Sequence, residues 1–175
     1  VYAFWYFTMP NQGFDIDSAY HHTQRALNDY GLLPAKEKEK LARVPLDSSR
    51  LLLVRSEIDS AAFERAKELN AEEGYISFIE NFKTALQIPK AIELRDEVAF
   101  LTALKTSTYQ SFQEFMQKYP MSHRYEEAKE RYDKLLFETK TGDGKLASFR
   151  RFRQEYPESP YRAKAEQQIL ELSTT

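Results

Sequence analysis

The chain has no cysteine, which excludes disulfides and thiolate metal sites. That absence leaves the compartment open, because cytosol and periplasm both tolerate it. Glycine is scarce, with 5 in 175 residues. The one close pair, Gly142 and Gly144, is not followed by Lys-Ser or Lys-Thr, so no loop is built to cradle a phosphate. No nucleophile elbow is present either. There are 3 histidines. His21 and His22 are adjacent, and on a helix adjacent side chains point about 100° apart, a poor chelating pair. His123 and Glu126 would share a helical face, but two ligands fall short of the three or four a site requires. No cofactor, metal or catalytic residue is therefore expected, and the chain reads as a non-enzyme.

Charge of one sign is lacking too. The 25 basic and 27 acidic residues leave a net charge of −2, which gives no general attraction for polyanions, so nucleic acid is not an expected partner. Long apolar runs are also missing. The aromatic stretch Tyr2, Phe4, Trp5, Tyr6 and Phe7 is too short to span a bilayer and lacks the basic region of a signal peptide. It is expected to pack on the helix that begins near Asp15; the alternative is a contact with a segment upstream. No direct membrane insertion by this chain is expected.

What the chain does have is 14% aromatic residues, arranged with a fixed period. Tyr75, Phe112 and Phe149 lie 37 residues apart; so do Phe78, Phe115 and Phe152, and then Phe82, Tyr119 and Tyr156. Ala91, Ala128 and Ala165 keep the same register, as do Val98, Leu135 and Leu172. Within each copy the apolar spacing is three or four, the signature of one helical face. A period in this range marks a stacked-repeat architecture, which presents long surfaces to partners. The expected fold is all-α, a solenoid of antiparallel helix pairs forming a single domain over 1–175. Residues 1–56 read as degenerate or capping helices, because upstream Leu41 matches Phe78 but Pro45 falls one place off register; residues 57–175 read as three clear units.

The boundaries carry local signals. Asn70 with Glu73, and Ser107 with Gln110, have capping-box spacing, and Gly144 takes the same place in the third copy. Tyr119-Pro120 and Tyr156-Pro157 end the first helix of each pair, since the residue before proline is driven out of the helical region. Ser159-Pro160 reads as an N-cap with proline in the first turn. Phe82-Lys83 replaces Tyr-Pro in the first copy, so that loop is expected to take a different path. The predicted helices lie near 2–8, 15–31, 34–43, 49–69, 71–82, 89–105, 108–119, 123–140, 145–156 and 160–173. Lys36 to Lys40 alternates lysine and glutamate and reads as a solvated face.

The pattern Phe112-x-x-Phe115-x-x-x-Tyr119-Pro120-x-Ser122 followed by Ala128, and its later copy Phe149-x-x-Phe152-x-x-x-Tyr156-Pro157-x-Ser159-x-Tyr161, resembles the tetratricopeptide-like repeats of gram-negative envelope proteins. The outer-membrane assembly lipoproteins that support β-barrel insertion carry such repeats. The resemblance covers about residues 57–173. It departs from the standard 34-residue repeat in length and in its missing tryptophan and glycine positions. It implies a right-handed superhelix, a protein-binding scaffold role and an envelope location, periplasmic or at the outer membrane; a cytoplasmic location stays open. It does not name a partner.

In such stacks the first helix of each pair lines a concave groove. Register brings Ile76, Gln113 and Arg150 into one row, and Ile79, Met116 and Arg153 into another. The resemblance therefore implies a groove that shades from apolar to basic, suited to a protein or peptide with a hydrophobic and an acidic end. The plain alternative is that Ile76 and Ile79 are core and the arginines merely solvated. A structural spacer or oligomerisation module of a larger protein remains the second functional reading, and the sequence leaves oligomeric state undetermined.

Overall fold

A computed structural model describes residues 15–43 and 47–174. Among these residues all regular structure is helical: α1 Ile16–Leu32, α2 Ala35–Leu41, α3 Ser48–Leu69, α4 Glu72–Asn81, α5 Ile88–Thr106, α6 Tyr109–Lys118, α7 Tyr125–Thr141, α8 Leu146–Glu155 and α9 Arg162–Ser173. The expected helix near 2–8, the aromatic stretch around Trp5, and Pro45 lie outside the described residues. α2 buries none of its side chains, as its alternating charges require. Two compact units divide the chain, one up to Arg95 and one from Asp96, with the boundary inside α5.

The apolar spacing does what helical geometry demands. Tyr75 and Phe78 are the buried residues of α4, Phe112 and Phe115 those of α6, and Phe149 and Phe152 those of α8. These three helices are each 10 residues long and begin at Glu72, Tyr109 and Leu146, one period apart. Ala91, Ala128 and Ala165 are wholly buried, where only a methyl group fits. Val98 and Leu135 are partly buried, but Leu172 on α9 is 40% exposed.

A second row of aromatics completes each core. Phe63, Phe100 and Phe137 stand one period apart on α3, α5 and α7, and each meets the first helix that follows it. Ring centroids are 5.4 Å apart for Phe63 and Phe78, 5.5 Å for Phe100 and Phe115, and 5.1 Å for Phe137 and Phe152. In the second unit Phe100 packs with Ala99, Ala103, Phe112, Phe115, Tyr119 and Ala128. Phe137 packs with Leu136, Phe149, Phe152, Ala165 and Ile169. Tilted and edge-on ring pairs of this kind add about 0.5–1.5 kcal/mol each beyond the area they bury.

Three boundary expectations are corrected. Asn70, Ser107 and Gly144 are not helix N-caps: all three hold positive φ, at 42°, 53° and 65°. The chain turns through the left-handed region there, which asparagine and glycine adopt most readily. Asn70 closes α3, its N–H donating to the Ala66 carbonyl. Capping passes to the next residue or to a neighbour. Thr108 and Ser111 form the capping box of α6, and Asp143 accepts from the Lys145 N–H at 3.1 Å and from the Ser148 hydroxyl at 2.9 Å.

Ser159 does not start α9, which begins at Arg162. Its hydroxyl instead accepts from the Tyr161 N–H at 3.2 Å, as the Ser122 hydroxyl does from Arg124 N–H at 3.2 Å. These are side-chain-closed turns before the helix. Finally, the loop after Phe82 takes the same path as its counterparts. Phe82, Tyr119 and Tyr156 all leave the helix with φ between −112° and −130°. Their N–H groups bond the carbonyls of Phe78, Phe115 and Phe152 at 2.9 Å each, and the next bonds, from Ala85, Ser122 and Ser159 back to them, also recur. Proline therefore reinforces this stop without being needed for it; an aromatic ring stands at the C-cap in all three copies, buried for Phe82 and Tyr119 and half-buried for Tyr156.

Candidate functional site

The six residues singled out from register fall in both units, so each unit is considered by itself. In the first, Ile76 and Ile79 on α4 are half-buried beside the fully buried Tyr75 and Phe78. They flank the core stripe and keep part of their surface in water. In the second unit Gln113 on α6 is exposed, and Met116 is half-buried and packed against the cluster around Phe112 and Phe115. Arg150 and Arg153 on α8 are exposed.

A shallow, open depression lies on the exposed face of α8, bordered among the described residues by Leu146, Ala147, Arg150, Arg151, Gln154 and Glu155, all of that one helix. It contains Arg150 but not Arg153. Arg151, which register did not single out, lies in it, and also in a smaller cavity of about 180 Å³ with Lys140, Ser148, Phe152 and Glu155. The placement follows from helical geometry: residues 147, 150, 151 and 154 share one face, and Phe149 and Phe152 face the core. Arg151 was legible only as part of a basic run, because its direction depends on which side of α8 the Phe137 ring covers.

The electrostatics of this helix differ from those of its neighbours. On other helices some basic side chains lie against carboxylates three or four residues away: Arg25 and Asp29, Lys67 and Glu64, Lys90 and Glu93, Arg131 and Glu127, Arg162 and Glu166; Arg50, Arg65 and Lys105 do not. Arg124 reaches Glu127 at 2.8 Å and Glu97 at 3.4 Å, and its guanidinium lies 4.2 Å from the centre of the Phe100 ring. Arg150, Arg151 and Arg153 make no ion pair with any described residue. In the smaller cavity, the Lys140 ammonium is held above its ordinary pKa by Tyr156 and Tyr109; it lies 5.6 Å from the Tyr109 ring centre.

A buried pair of opposite charges lies elsewhere, in the first unit. Arg55 on α3 donates from Nε to Asp59 at 3.1 Å, bonds Gln24 of α1 and Thr84 of the α4–α5 loop, and stacks 3.8 Å from the centre of the Tyr20 ring. Desolvation pushes the Asp59 carboxyl up, and Arg55 opposes the shift. Every one of these partners belongs to the protein itself, so the cluster ties elements together and offers no open position. A nearby cleft of about 120 Å³ between α1, α3 and α4 is floored by Ile16, Ala62, Ala66, Phe78 and Phe82.

No group of three or more metal-binding side chains occurs among the described residues, and none of the described helices is long and apolar enough to cross a membrane. No family model matches the chain, and no curated protein or solved structure matches it significantly.

Proposed function

We propose that this chain is a non-enzymatic scaffold that holds a protein or peptide on its helical surface, as a tetratricopeptide-like module of a bacterial envelope protein. In this reading the helix pairs stack as a right-handed superhelix, and the exposed faces of α6 and α8 form the binding surface of the second unit. Gln113, Met116, Arg150 and Arg153 lie on it; Ile76 and Ile79 take the corresponding place on α4. The observation that carries the reading is the set of exposed arginines on α8, Arg150, Arg151 and Arg153, that make no ion pair with any described residue. A helix with only a structural role gains a few tenths of a kcal/mol from each such pair, as Arg131 with Glu127 on α7 and Arg162 with Glu166 on α9 do.

Affinity capture from the native cell envelope, run beside the Arg150→Glu/Arg153→Glu variant, tests it. A specific protein retained by the unaltered chain and lost with the variant is the expected result. Retention of identical proteins by both removes α8 from the binding surface. A second reading, a spacer or self-associating module, is favoured by Leu170 and Leu172 on α9, which are 68% and 40% exposed. It predicts capture of nothing but the chain itself, with a mass by sedimentation that rises with concentration and returns to the monomer in Leu170→Ser/Leu172→Ser.

A further inference from the structure

Gly74 on α4 stands where the later copies carry Ser111 and Ser148. The Ser111 hydroxyl donates to the Ala103 carbonyl at 3.0 Å and so ties the start of α6 to the end of α5. Ala66 on α3 holds the place of Ala103, and Gly74 offers it no hydroxyl. The space between these two helices is instead one wall of the 120 Å³ cleft, which Ala66, Leu69 and Gly74 border. Its floor of Ile16, Ala62, Ala66, Phe78 and Phe82 is apolar and buried. Leu69 at the rim is 62% exposed, an apolar side chain left in water at the mouth of an apolar groove. A space of this size suits one aromatic ring, since an apolar cavity of about 150 Å³ takes up benzene.

We infer that this cleft is filled by the chain's own aromatic stretch, Tyr2 to Phe7, with one ring on the floor and the others against Leu69 and Arg65. The stretch lies outside the described residues, but the chain leads from it to the cleft. Ile16 and Asp17, the first residues of α1, border the opening. Asp15 fixes that entry: its backbone is extended, and its carboxylate accepts from the Asp17 N–H at 3.1 Å and from the Ser18 hydroxyl. From Phe7 to Asp15 the backbone spans at most about 26–29 Å, enough to fold back. A tether this short sets an effective concentration of about millimolar. A partner offering a similar ring at ordinary concentration therefore competes poorly. The chemistry matches as well. A ring entering beside Phe78 and Phe82 packs on aromatic neighbours at its edge or face. Hydrogen bonds from Ser18 and Asp17 hold the Asp15 carboxyl below its ordinary range, and the Arg65 charge adds to the effect. That guanidinium, exposed beside the entry, is placed to sit over a ring face. The cleft belongs to the first unit, and its occupancy does not depend on the α8 surface.

Trp5 is the only tryptophan and the chain has no cysteine, so a nitroxide on one introduced thiol reports its proximity to Trp5 alone. The label is placed on Glu73→Cys, one turn from Ser77 and just outside the cleft. A second position is Leu32→Cys, at the far end of α1 and about 24 Å along its axis from Ile16. The label at 73 is expected to quench most of the Trp5 emission in the intact chain, and the label at 32 very little. Without a label, the emission is expected to be blue-shifted and shielded from acrylamide. Leu69→Glu, which puts a charge on the apolar rim, is expected to move it to the red and expose it to the quencher. Leu69 is already exposed, and circular dichroism checks that the variant stays folded. Emission typical of water in the unaltered chain, or equal quenching from the two labels, overturns the assignment. Unchanged emission in Leu69→Glu removes the cleft as the seat of the stretch. Labelled Glu73→Cys/Trp5→Phe mixed with the unlabelled chain tests a second copy; quenching there assigns the cleft to a neighbour's stretch and overturns an intramolecular dock. Arg150→Glu/Arg153→Glu is expected to leave the Trp5 emission unchanged whatever it does to partner capture, so the two readings stand or fall separately.

Discussion

Asp59 on α3 and Asp133 on α7 occupy the same register two periods apart, and burial pushes both carboxyls above their ordinary range. Their surroundings differ. Asp59 is almost fully buried and meets Arg55, itself 5% exposed, at 3.1 Å. Arg55 in turn is bonded or stacked to Gln24, Thr84 and Tyr20. Asp133 is only half-buried, and what opposes its shift is the charge of Lys129, which is exposed. One position in the repeat thus becomes a closed ionic cluster at Asp59 and a partly hydrated carboxylate at Asp133, while Asp96, one period after Asp59, is buried like it. Full burial of a charge is tolerated only where the surrounding elements provide all its partners. In the first unit α1 and the α4–α5 loop provide them.

The comparison can be broken from either side. Arg55→Ala leaves Asp59 buried without its counter-charge and is expected to destabilise by about 3–5 kcal/mol; Lys129→Ala, at the corresponding surface position, should stay within about 0.5 kcal/mol. Urea unfolding of both variants checks this, and similar losses would show the two sites to be energetically alike. Phe115→Ala, which strips the shared aromatic framework, should also remove roughly 3–5 kcal/mol. A negligible change in its melting would place the core on another face of α6.

Smaller effects test the left-handed row. Gly144→Ala places a Cβ at φ 65° with open space around it, so its cost is conformational, about 1–2 kcal/mol. Ser107→Gly relieves the same strain at φ 53° and gains up to about 1 kcal/mol, reduced by the greater freedom of glycine in the unfolded chain. Opposite signs in thermal melting are expected. The least change comes from Asp133→Asn and depends on pH. Because the folded carboxyl is raised above 3.8, the folded state binds its proton more tightly than the unfolded one. Its contribution to stability is present below the unfolded value and lost as pH rises through the folded value. The variant should therefore gain on the unaltered chain as pH rises through the folded value and hold that advantage at pH 7. A gap between the two that is constant from pH 3.5 to pH 7 contradicts the shift.

Much of the fold was legible because it rests on local rules. The stripe Phe112, Phe115, Tyr119 required only helical spacing, and the helix ends at Tyr119 and Tyr156 were marked by the prolines that follow them. The Phe63, Phe100, Phe137 row is in the sequence at the same period, yet it lies deep in long helices where many apolar residues compete. Its role depends on which face meets the next helix. The left-handed row was misread because asparagine and serine serve both as N-caps and in turns, and only the φ values separate the two uses. Of the candidate surface, register picked out Arg150 but not Arg151, which the helix places on the same exposed face.

The sequence by itself determined that this chain is helical, aromatic-cored, near neutral in charge and periodic, since side-chain spacing and turn chemistry act over a few residues. Tertiary structure alone decided that Arg55 and Asp59 are buried together and that Leu172 lies exposed where Leu135 is partly buried. Burial and pairing depend on groups such as Gln24 and Thr84 that are distant along the chain, and no local pattern in the sequence records which of them meet.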